Sequence, residues 1–485
     1  MLKRMRSFLV LVMLFITVTM SAQVTTATMS GKVTAQDEPI IGATVVAVHE
    51  PSGTRYGTVT NVSGQFNLQG MRTGGLYKVE ISYVGYQTAI YKGINLLLGE
   101  NYVLNVSLKE SSELLDEVVV TASKESNMKS DRAGAIMNAN RDMINSTPTI
   151  SRSISDIMRL SPQGADVGNG FAVGGGNYRQ SFVTVDGAAF NNTFGLGGNL
   201  PANGSPISLD ALEQVTVAVT PFDVRQSGFT GGAINAVTRS GDNQFRGTVY
   251  GYFNNENLRG DRVEDYKLTR SKSQYYTYGA SFGGPIIKDK LFFFVNGEYE
   301  DNVTAGSSYQ PRTSLDQEYT GNVRRPVENT IVDGNETWVG LNDMRQYLKE
   351  KYNYDPGRYN NYSVNTPAYR IMARLDWNAN LNNKLSLRFT KTHTKDSNFP
   401  SSSTSPLSAD DIYPGDTGLG IPKGKDSGRS TKYSMSFENS NYYQVRDFTS
   451  VAGEWNSRFA NGAMNNMLRF AYSYQNEPRE YDGNP

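Results

Sequence analysis

The sequence predicts a mainly β protein with a small β-sandwich, then an α+β domain, then the N-terminal part of a transmembrane antiparallel β-barrel. The chain opens with a short basic and apolar segment that is typical of exported proteins. Short strands separated by turn residues follow. The second half alternates apolar with polar side chains over segments of strand length, as barrel walls do.

The first 22 residues have the three parts of a secretory signal peptide. Lys3, Arg4 and Arg6 precede an apolar run over residues 8–16, and small residues follow at positions 21–22. The alternative is an N-terminal membrane anchor, which would need about 20 apolar residues. No cysteine follows the run, which argues against a lipid anchor. We therefore expect residues 1–22 to direct export.

Composition limits the classes of partner. The 485 residues include no cysteine, and 47 basic residues balance 47 acidic ones. The exported chain therefore has no disulfides, and its zero net charge argues against nucleic acid as a partner. A mean hydropathy of −0.47 is typical of soluble proteins, but barrel strands that face lipid on one side and water on the other also average to polar.

Residues 28–109 predict the sandwich. Strands are expected at 42–49, 56–60, 65–68, 77–83 and 102–108, with turn residues between them. The segments SGKVTAQDEPIIGATVVAV, TNVSGQFNL and YKVEISYVGYQT resemble the carboxypeptidase-regulatory-like, transthyretin-like domain. That resemblance implies a regulatory module and no peptidase. The alternative is another kind of secreted sandwich with the same fold.

A linker at residues 110–132 contains one β-prone patch, LLDEVVVTA. The patch has three consecutive valines after two acidic residues, and its central residues are Asp116, Glu117, Val118, Val119, Val120, Thr121 and Ala122. An extended segment of this kind can add as a strand to the sheet edge of another protein. The alternative is an eighth strand of the preceding sandwich, which otherwise closes at residue 108.

Residues 133–241 predict the α+β domain. A helix is expected from Thr147 as N-cap and Pro148 as first residue to a stop at Pro162, with strands at 182–186, 212–219 and 233–238. Its glycine runs do not lead from a strand into a helix, so a phosphate-binding loop is not favoured. The stretch 190–203 is the better place for a ligand-facing loop. Its proposed contact residues are Phe190, Asn191, Asn192, Asn199 and Asn203.

Residues 245–485 predict the barrel strands. Residues 369–377 place Tyr369, Ile371, Ala373, Leu375 and Trp377 on one face and Arg370, Met372, Arg374 and Asp376 on the other. Other strands are expected at 247–253, 275–282, 291–299, 385–389, 433–437, 451–455 and 468–474, about eight in all. A soluble sandwich could show the same alternation.

The connections between these segments favour the barrel over the sandwich. Short turns at 283–291 and 377–385 alternate with long polar stretches at 302–367 and 395–429, which is the outer-membrane pattern. The alternation of short and long connections fails near the end of the chain. A plugged barrel of this size class has 22 strands. We therefore expect a truncated gene product or a fragment, whose open edge in lipid would prevent functional insertion.

Four segments in order resemble the TonB box and plug domain of TonB-dependent outer-membrane receptors: DEVVVTA, SISDIMRLSP, FVTVDG and SLDALEQVTVAVTPFDVRQSGFTGGAINAVTRSG. With GGPIIKDKLFFFVNGEYE at 283–300, they resemble most the Oar-like branch. The resemblance implies that residues 116–122 are the TonB box and 133–241 the plug, in a protein of the cell outer membrane. The sequence departs from the family at residues 171–176, which read FAVGGG where many members have Ile-Arg-Gly, so no ligand type is implied.

The resemblance also implies a function and partners. It implies transport of a ligand across the outer membrane, energised by the inner-membrane proton gradient through TonB with ExbB and ExbD. An extracellular ligand is an implied partner, and a surface lipoprotein is compatible with the resemblance. The alternative is a passive outer-membrane adhesion or assembly protein, which loss of TonB would not affect.

The histidine inventory argues against catalysis. The chain has only His49 and His393, which fall in separate predicted domains, so we expect solvated structural roles for both. We therefore predict no enzyme, no catalytic residue, no cofactor and no metal site. Calcium sites made of loop carboxylates stay an open alternative.

Overall fold

The computed structural model describes most of the chain after residue 23. The described ranges are 24–110, 118–121, 136–149, 152–167, 170–192, 198, 200–202, 205–219, 230–258, 260–267, 272–307, 309–318, 322–333, 336–398, 435–459 and 464–481. The predicted signal peptide at 1–22 lies outside them. Within these ranges, no helix is both long and apolar enough to cross a membrane.

Two five-stranded sheets build the N-terminal sandwich. The strands are β1 (Ala27–Ala35), β2 (Glu38–Pro39), β3 (Thr44–His49), β4 (Thr54–Val59), β5 (Gln65–Met71), β6 (Leu76–Ser82), β7 (Ala89–Asn95), β8 (Asn101–Val103), β9 (Val106–Ser107) and β10 (Val118–Thr121). One sheet joins β2, β1 and β5, with β8 and β9 on β1, and the other has the order β10-β7-β6-β3-β4. Alternate side chains point inward, so that Val45, Ala47, Val79 and Ile81 are fully buried between the sheets.

A mixed sheet forms the centre of the α+β domain. Its elements are β11 (Ile136–Ala139), α1 (Arg141–Ser146), α2 (Ile154–Met158), β12 (Gly164–Asp166), β13 (Phe171–Val173), β14 (Phe182–Val185), β15 (Ala188–Ala189), β16 (Leu212–Ala218) and β17 (Ala233–Thr238). The sheet has the order β11-β16-β17-β14-β15. Short 3₁₀ turns at Tyr178–Gln180 and Leu209–Ala211 connect its strands.

The predicted start of the helix at Thr147 is wrong. Thr147 instead ends α1, where its hydroxyl donates to Met143 O over 2.6 Å. Helix α2 begins after Ser153, whose side chain accepts from Ser155 N, while the Asp156 carboxylate accepts from Ser153 N. This capping box satisfies two free backbone donors, which a start at Thr147 would not do.

Seven long antiparallel strands form the C-terminal sheet. The elements are β18 (Arg246–Asn255), β19 (Arg262–Val263), β20 (Tyr266–Lys267), β21 (Ser273–Ile287), β22 (Leu291–Ala305), β23 (Gln310–Arg312), β24 (Val323–Val327), β25 (Ile331–Asp333), β26 (Glu336–Trp338), α3 (Leu341–Tyr352), β27 (Ser363–Asn380), β28 (Asn383–Asn398), β29 (Tyr442–Phe459), β30 (Met464–Asn476) and β31 (Arg479–Glu480). The sheet runs β18-β21-β22-β27-β28-β29-β30, and β31 adds to β29. The short strands β19, β20 and β23 to β26 and helix α3 lie in the long connections.

The expected strand at 433–437 is wrong for the part that the structure describes. Residues 435–437 are irregular and lead into a 3₁₀ turn at Glu438–Ser440, and 433–434 lie outside the described residues. Without that strand the connections alternate throughout. Short turns join β21 to β22, β27 to β28 and β29 to β30, and long connections join the other pairs.

The two faces of the sheet have opposite exposure from those of a soluble protein. On β27, Ile371 and Trp377 are 47% and 49% exposed, whereas Arg370 and Met372 are 4% and 1% exposed. The apolar face therefore points away from the protein, and the charged face lies against the α+β domain. This excludes the soluble-sandwich alternative, because a sandwich would bury its apolar face.

Candidate functional site

The α+β domain packs against the inner face of the seven-stranded sheet. Its apolar core continues into the sheet through Phe294, Met372, Phe448 and Ala452. A domain lodged against the inner wall in this way occupies the position that a plug has in a barrel. The functional question is therefore how the plug is held, and what connects it to the chain before it.

A two-residue turn presents the first polar contact between plug and wall. Asp186 and Gly187 join β14 to β15, and their φ angles of 48° and 79° are both positive. A type I′ hairpin needs these angles, and Asp-Gly is among its preferred sequences. The Asp186 carboxylate accepts from Thr238 N over 2.9 Å, which fixes the turn to the next plug strand.

Two wall arginines pair with Asp186. Arg374 on β27 and Arg388 on β28 lie 3.4 and 3.5 Å from its carboxylate oxygens. Arg374 also donates to Thr238 O over 2.8 Å and pairs with Asp376. All these side chains are at most 16% exposed. Removing one partner of a buried ion pair is strongly destabilising. The Asp186 cluster therefore holds the plug to the wall.

A second cluster holds the plug loop before Leu209. The Glu298 carboxylate accepts from Ser208 Oγ over 2.9 Å and from Tyr250 OH over 2.5 Å. Arg370 pairs with Glu298 over 3.1 Å and donates to Ser205 O over 2.7 Å. Through these groups the loop is linked to three wall strands, β18, β22 and β27.

A third contact involves Asp210, in the 3₁₀ turn before β16. Burial alone would raise the pKa of its carboxyl, but hydrogen bonding to Ser281 and Arg141, with the charge of Arg141, lowers that pKa below its ordinary value. Arg141 lies 2.8 Å from the carboxylate, and Arg239 lies 3.5 Å away. The group is therefore ionised at neutral pH and bridges plug elements to the wall.

The proposed ligand-facing residues take structural positions where the structure describes them. Phe190 is fully buried and packs edge-on against Phe448 at 4.7 Å, so its expected exposure to a ligand is wrong. Asn191 accepts from Val183 N and donates to Ser181 O, which closes the hairpin loop. Asn192 accepts from Gln475 on β30. Asn199 and Asn203 lie outside the described residues.

The sandwich lies at the end of the sheet where the short turns are. Asn378, at the turn between β27 and β28, donates to Thr54 Oγ1 over 2.9 Å, and Arg72 donates to Gly241 O over 3.0 Å. A cavity of about 260 Å³ lies between sandwich, plug and wall. Glu213 lines it, and burial raises the pKa of its carboxyl.

The segment after β7 connects the sandwich to the plug sheet. Leu98 N donates to Gln214 Oε1 over 2.8 Å, and Gln214 Nε2 donates to Leu96 O over 3.4 Å. Asn138 on β11 donates to the Glu100 carboxylate over 2.7 Å. Gln214 is 2% exposed, so the contact between sandwich and plug is buried.

The expected TonB box is described only in part. Residues 118–121 form β10, which pairs in parallel with β7, from Val118 beside Ala89 to Thr121 beside Lys92. Asp116, Glu117 and Ala122 lie outside the described residues. The segment therefore takes the sandwich position that the alternative interpretation expected, at the edge of the sheet.

The two histidines have structural contacts. His49 is buried rather than solvated, its Nδ1 lies 2.6 Å from Ser52 Oγ, and burial lowers its pKa to about 3. His393 is half-buried, and its Nδ1 lies 2.9 Å from the Asp447 carboxylate. Within the described ranges, no group of three or more His, Cys, Asp or Glu side chains is placed to hold a metal ion.

Sequence reasoning misses the roles of the wall arginines. Alternation places Arg370, Arg374 and Arg388 on the water side of the strands, but it does not predict their pairing with the plug. The signal that the sequence does contain is the spacing of Arg370 and Arg374, which are four residues apart on the inner face of one wall strand. A lumen-facing arginine next to a plug needs a carboxylate partner, and the Asp-Gly hairpin supplies one.

Comparison with known families decides what the sheet is. The family model described as "Outer membrane beta barrel domain" matches residues 237–480. The chain belongs to this outer-membrane β-barrel family. The model of the carboxypeptidase regulatory-like domain matches residues 28–109. The chain is therefore an outer-membrane β-barrel protein with an N-terminal carboxypeptidase regulatory-like domain.

Two relatives of known class are similar over part of the chain. The TonB-dependent transporter Oar of Myxococcus xanthus is 25% identical over 300 residues, which cover 59% of this chain and 26% of Oar. The TonB-dependent receptor SusC of Bacteroides thetaiotaomicron is 30% identical over 221 residues, covering 42% of this chain and 20% of SusC. The chain thus spans about a quarter or less of the matched relatives.

Solved receptors are similar at lower identity. A ferric enterobactin receptor of Pseudomonas aeruginosa, PfeA, matches with a TM-score of 0.41 and 14% identity, covering 72% of this chain and 42% of that one.

Proposed function

We propose that the chain carries the energy-coupling part of a TonB-dependent transporter. Ligand binding on the extracellular side makes residues 116–122 available, TonB pairs with them as an added strand, and the resulting pull rearranges the plug. The outer membrane has no ATP, so energy for active transport has to come from the inner membrane. TonB, acting with ExbB and ExbD, supplies it from the proton gradient.

One observation carries the proposal. A plug packed against the charged inner face of the wall follows directly after a β-prone segment at the sandwich end of the molecule. The wall and plug separate only if the Asp186 and Glu298 clusters break, and a pulling force applied to the chain before β11 can act on them. A passive adhesion protein has no need of such a connection.

A proline at Val119 tests the proposal. TonB pairing by strand addition depends on backbone N–H donors, and Val119→Pro removes one of them. We expect the 485-residue chain with this substitution to lose binding to the purified C-terminal domain of TonB. Val119→Ile is the matched control, because it keeps the donor and the β-propensity, and it should bind as the unsubstituted chain does.

Two outcomes would contradict the proposal. If Val119→Pro bound the TonB domain as well as Val119→Ile, residues 116–122 would not be the TonB box. If cells that carry this chain within a receptor of the relatives' full length transported equally well after deletion of TonB, the passive adhesion or assembly function would be the better account.

A further inference from the structure

We propose that the sandwich holds residues 118–121 of the proposed TonB box in cis, so that the edge of β7 and TonB compete for the same backbone. This inference rests on the proposed function for its partner, and on the sheet pairing for its geometry. It gives the regulatory-like domain a specific role, which is to withhold the coupling strand until the plug moves.

The pairing occupies one edge of the segment that TonB would pair with. β10 lies beside β7 over four residues, with Val119 next to Ile90 and Val120 next to Tyr91. β7 is hydrogen-bonded to β6 on its other side, so β10 completes an otherwise open edge of a five-stranded sheet. We infer that TonB pairs along the same edge of the segment, so that β10 has to leave β7 before TonB can bind and pull it.

Residues 109–110, which precede β10 in the chain, lie beside the residues that lead into β7. Gln87 N donates to Lys109 O over 2.9 Å, and Tyr86 and Glu110 form an antiparallel bridge. Residue 110 is therefore held next to the start of β7. Seven residues then separate it from Val118, which is a short connection back to a parallel position beside Ala89.

The strand that holds the box is also the strand that contacts the plug. β7 ends at Asn95, and the next residues, Leu96 and Leu98, are hydrogen-bonded to Gln214 on plug strand β16. Leu98 also packs with Val24 of the sandwich and Val237 of plug strand β17. A plug movement that displaces β16 therefore displaces the end of β7. A displacement of the plug would in this way be transmitted through β7 to β10.

Cysteine cross-linking can lock the pairing, because the chain contains no cysteine of its own. Lys92 and Thr121 are register partners, and Lys92 is exposed. Neighbouring strands lie about 4.8 Å apart, which is within the Cα separation of about 4.4–6.8 Å that a disulfide spans. The test chain carries Lys92→Cys with Thr121→Cys. The control carries Arg55→Cys with Thr121→Cys, because Arg55 is an exposed cation on β4, the opposite edge of the same sheet.

The experiment measures disulfide formation and binding of the purified TonB C-terminal domain, before and after reduction. We expect the test pair to cross-link and the control pair not to. The oxidised test chain should bind the TonB domain at least about tenfold more weakly, since apparent affinity scales with the competent fraction, and reduction should restore binding.

Each failure points to a different part of the account. Absence of the cross-link in the test pair, or equal cross-linking in the control, would overturn the cis pairing. A cross-linked chain that binds TonB as well as the reduced chain would overturn the competition and leave the proposed function intact. A chain that forms the cross-link but never binds TonB, even reduced, would overturn the proposed function and with it the competition.

Discussion

At the scale of single residues, a few buried charges join the plug to the wall. Asp186 is the centre of the largest of these groups, because it pairs with arginines from two adjacent wall strands and also fixes its own hairpin. Its partner Arg388 is only 2% exposed. A buried arginine without a carboxylate partner is strongly destabilising, so moving the plug away from this position costs free energy.

Asp186→Asn should loosen the plug. The amide keeps the shape of the side chain and can still accept from Thr238 N, but it removes the negative charge between Arg374 and Arg388. We expect a loss of about 3–5 kcal/mol in plug stability, the usual effect of removing one partner of a buried ion pair. Hydrogen exchange of the β14 and β17 amides measures it.

Asp166→Asn is the control for that substitution. Asp166 also belongs to the plug, but it pairs with Arg159 at a site where the two side chains are 33% and 49% exposed. Exposed pairs contribute about 0–1 kcal/mol. Equal effects of the two substitutions would contradict the role given to the Asp186 cluster.

His49 gives the sandwich a defined pH dependence. Burial lowers its pKa in the folded protein to about 3, whereas its ordinary pKa is 6.5. Between these values the unfolded chain binds a proton that the folded chain does not, so the free energy of unfolding falls as the pH drops from 6.5 toward 3. Above that window His49 adds no pH dependence.

His49→Gln should flatten this dependence, because glutamine offers hydrogen-bonding groups to Ser52 and Gly74 without titrating. Hydrogen-exchange protection of the β3 amides, compared at about pH 7 and about pH 5 in both chains, measures the difference. If both chains lost the same protection on acidification, other groups would be responsible.

At the scale of elements, the segment between β7 and β8 connects the regulatory-like domain to the plug. Gln214 makes two hydrogen bonds across this contact, and its side chain is sealed from solvent. Because this contact joins the sandwich directly to plug strand β16, a movement of one domain can reach the other here.

Gln214→Met should separate the two domains locally. Methionine has a similar volume, but it leaves Leu98 N without its acceptor, and an unpaired buried donor costs about 1–3 kcal/mol. We expect faster hydrogen exchange at residues 96–100 and unchanged exchange in β3. Gln65→Met removes an amide from an exposed position on β5 and should change neither region. Unchanged exchange at 96–100 in Gln214→Met would show that this contact does not hold the domains together.

The elements also show what the sequence can predict and what it cannot. Alternation along residues 369–377 correctly assigns both faces of β27, because a strand repeats every two residues. The sequence places helix α2 too early, since both Thr147 and Ser153 suit an N-cap and only the capping box with Asp156 distinguishes them. The pairing of β10 with β7 depends on a free edge of the sandwich sheet, and local propensity does not contain that information.

The candidate site is predictable only where a motif determines its own geometry. The Asp186-Gly187 turn follows from its sequence, but the convergence of Arg374 and Arg388 on it depends on the register between wall and plug. The prediction for Phe190 is wrong for the same reason. Its asparagine- and glycine-rich neighbours predict an exposed loop, whereas the aromatic ring fills the space between plug and β29.

At the scale of the whole molecule, two aromatic levels mark the wall. Register places Tyr278, Tyr299 and Tyr369 side by side in one row, and Trp377 and Trp455 in another row nearer the short turns. Residues 369 and 377 are eight positions apart, or about 27 Å along the strand. With a strand tilt of about 35–45°, this is about 19–22 Å along the membrane normal, somewhat less than the apolar band of about 25 Å between two aromatic girdles.

The sandwich lies beyond the short-turn level, at the end that faces the periplasm in proteins of this family. β10 lies at that same end, as a strand that TonB reaches from the inner membrane has to. The arrangement of wall, plug and sandwich therefore supports coupling through residues 116–122 more directly than any single motif does.

A single-cysteine scan against TonB tests this central claim most directly. The chain has no cysteine, so substitutions at each position from Asp116 to Ala122 can be cross-linked one at a time to a TonB C-terminal domain carrying one cysteine. Met137 on plug strand β11 serves as the control position. We predict cross-links within residues 116–122 and none at Met137. Equal cross-linking at Met137, or none within the segment, would contradict the account.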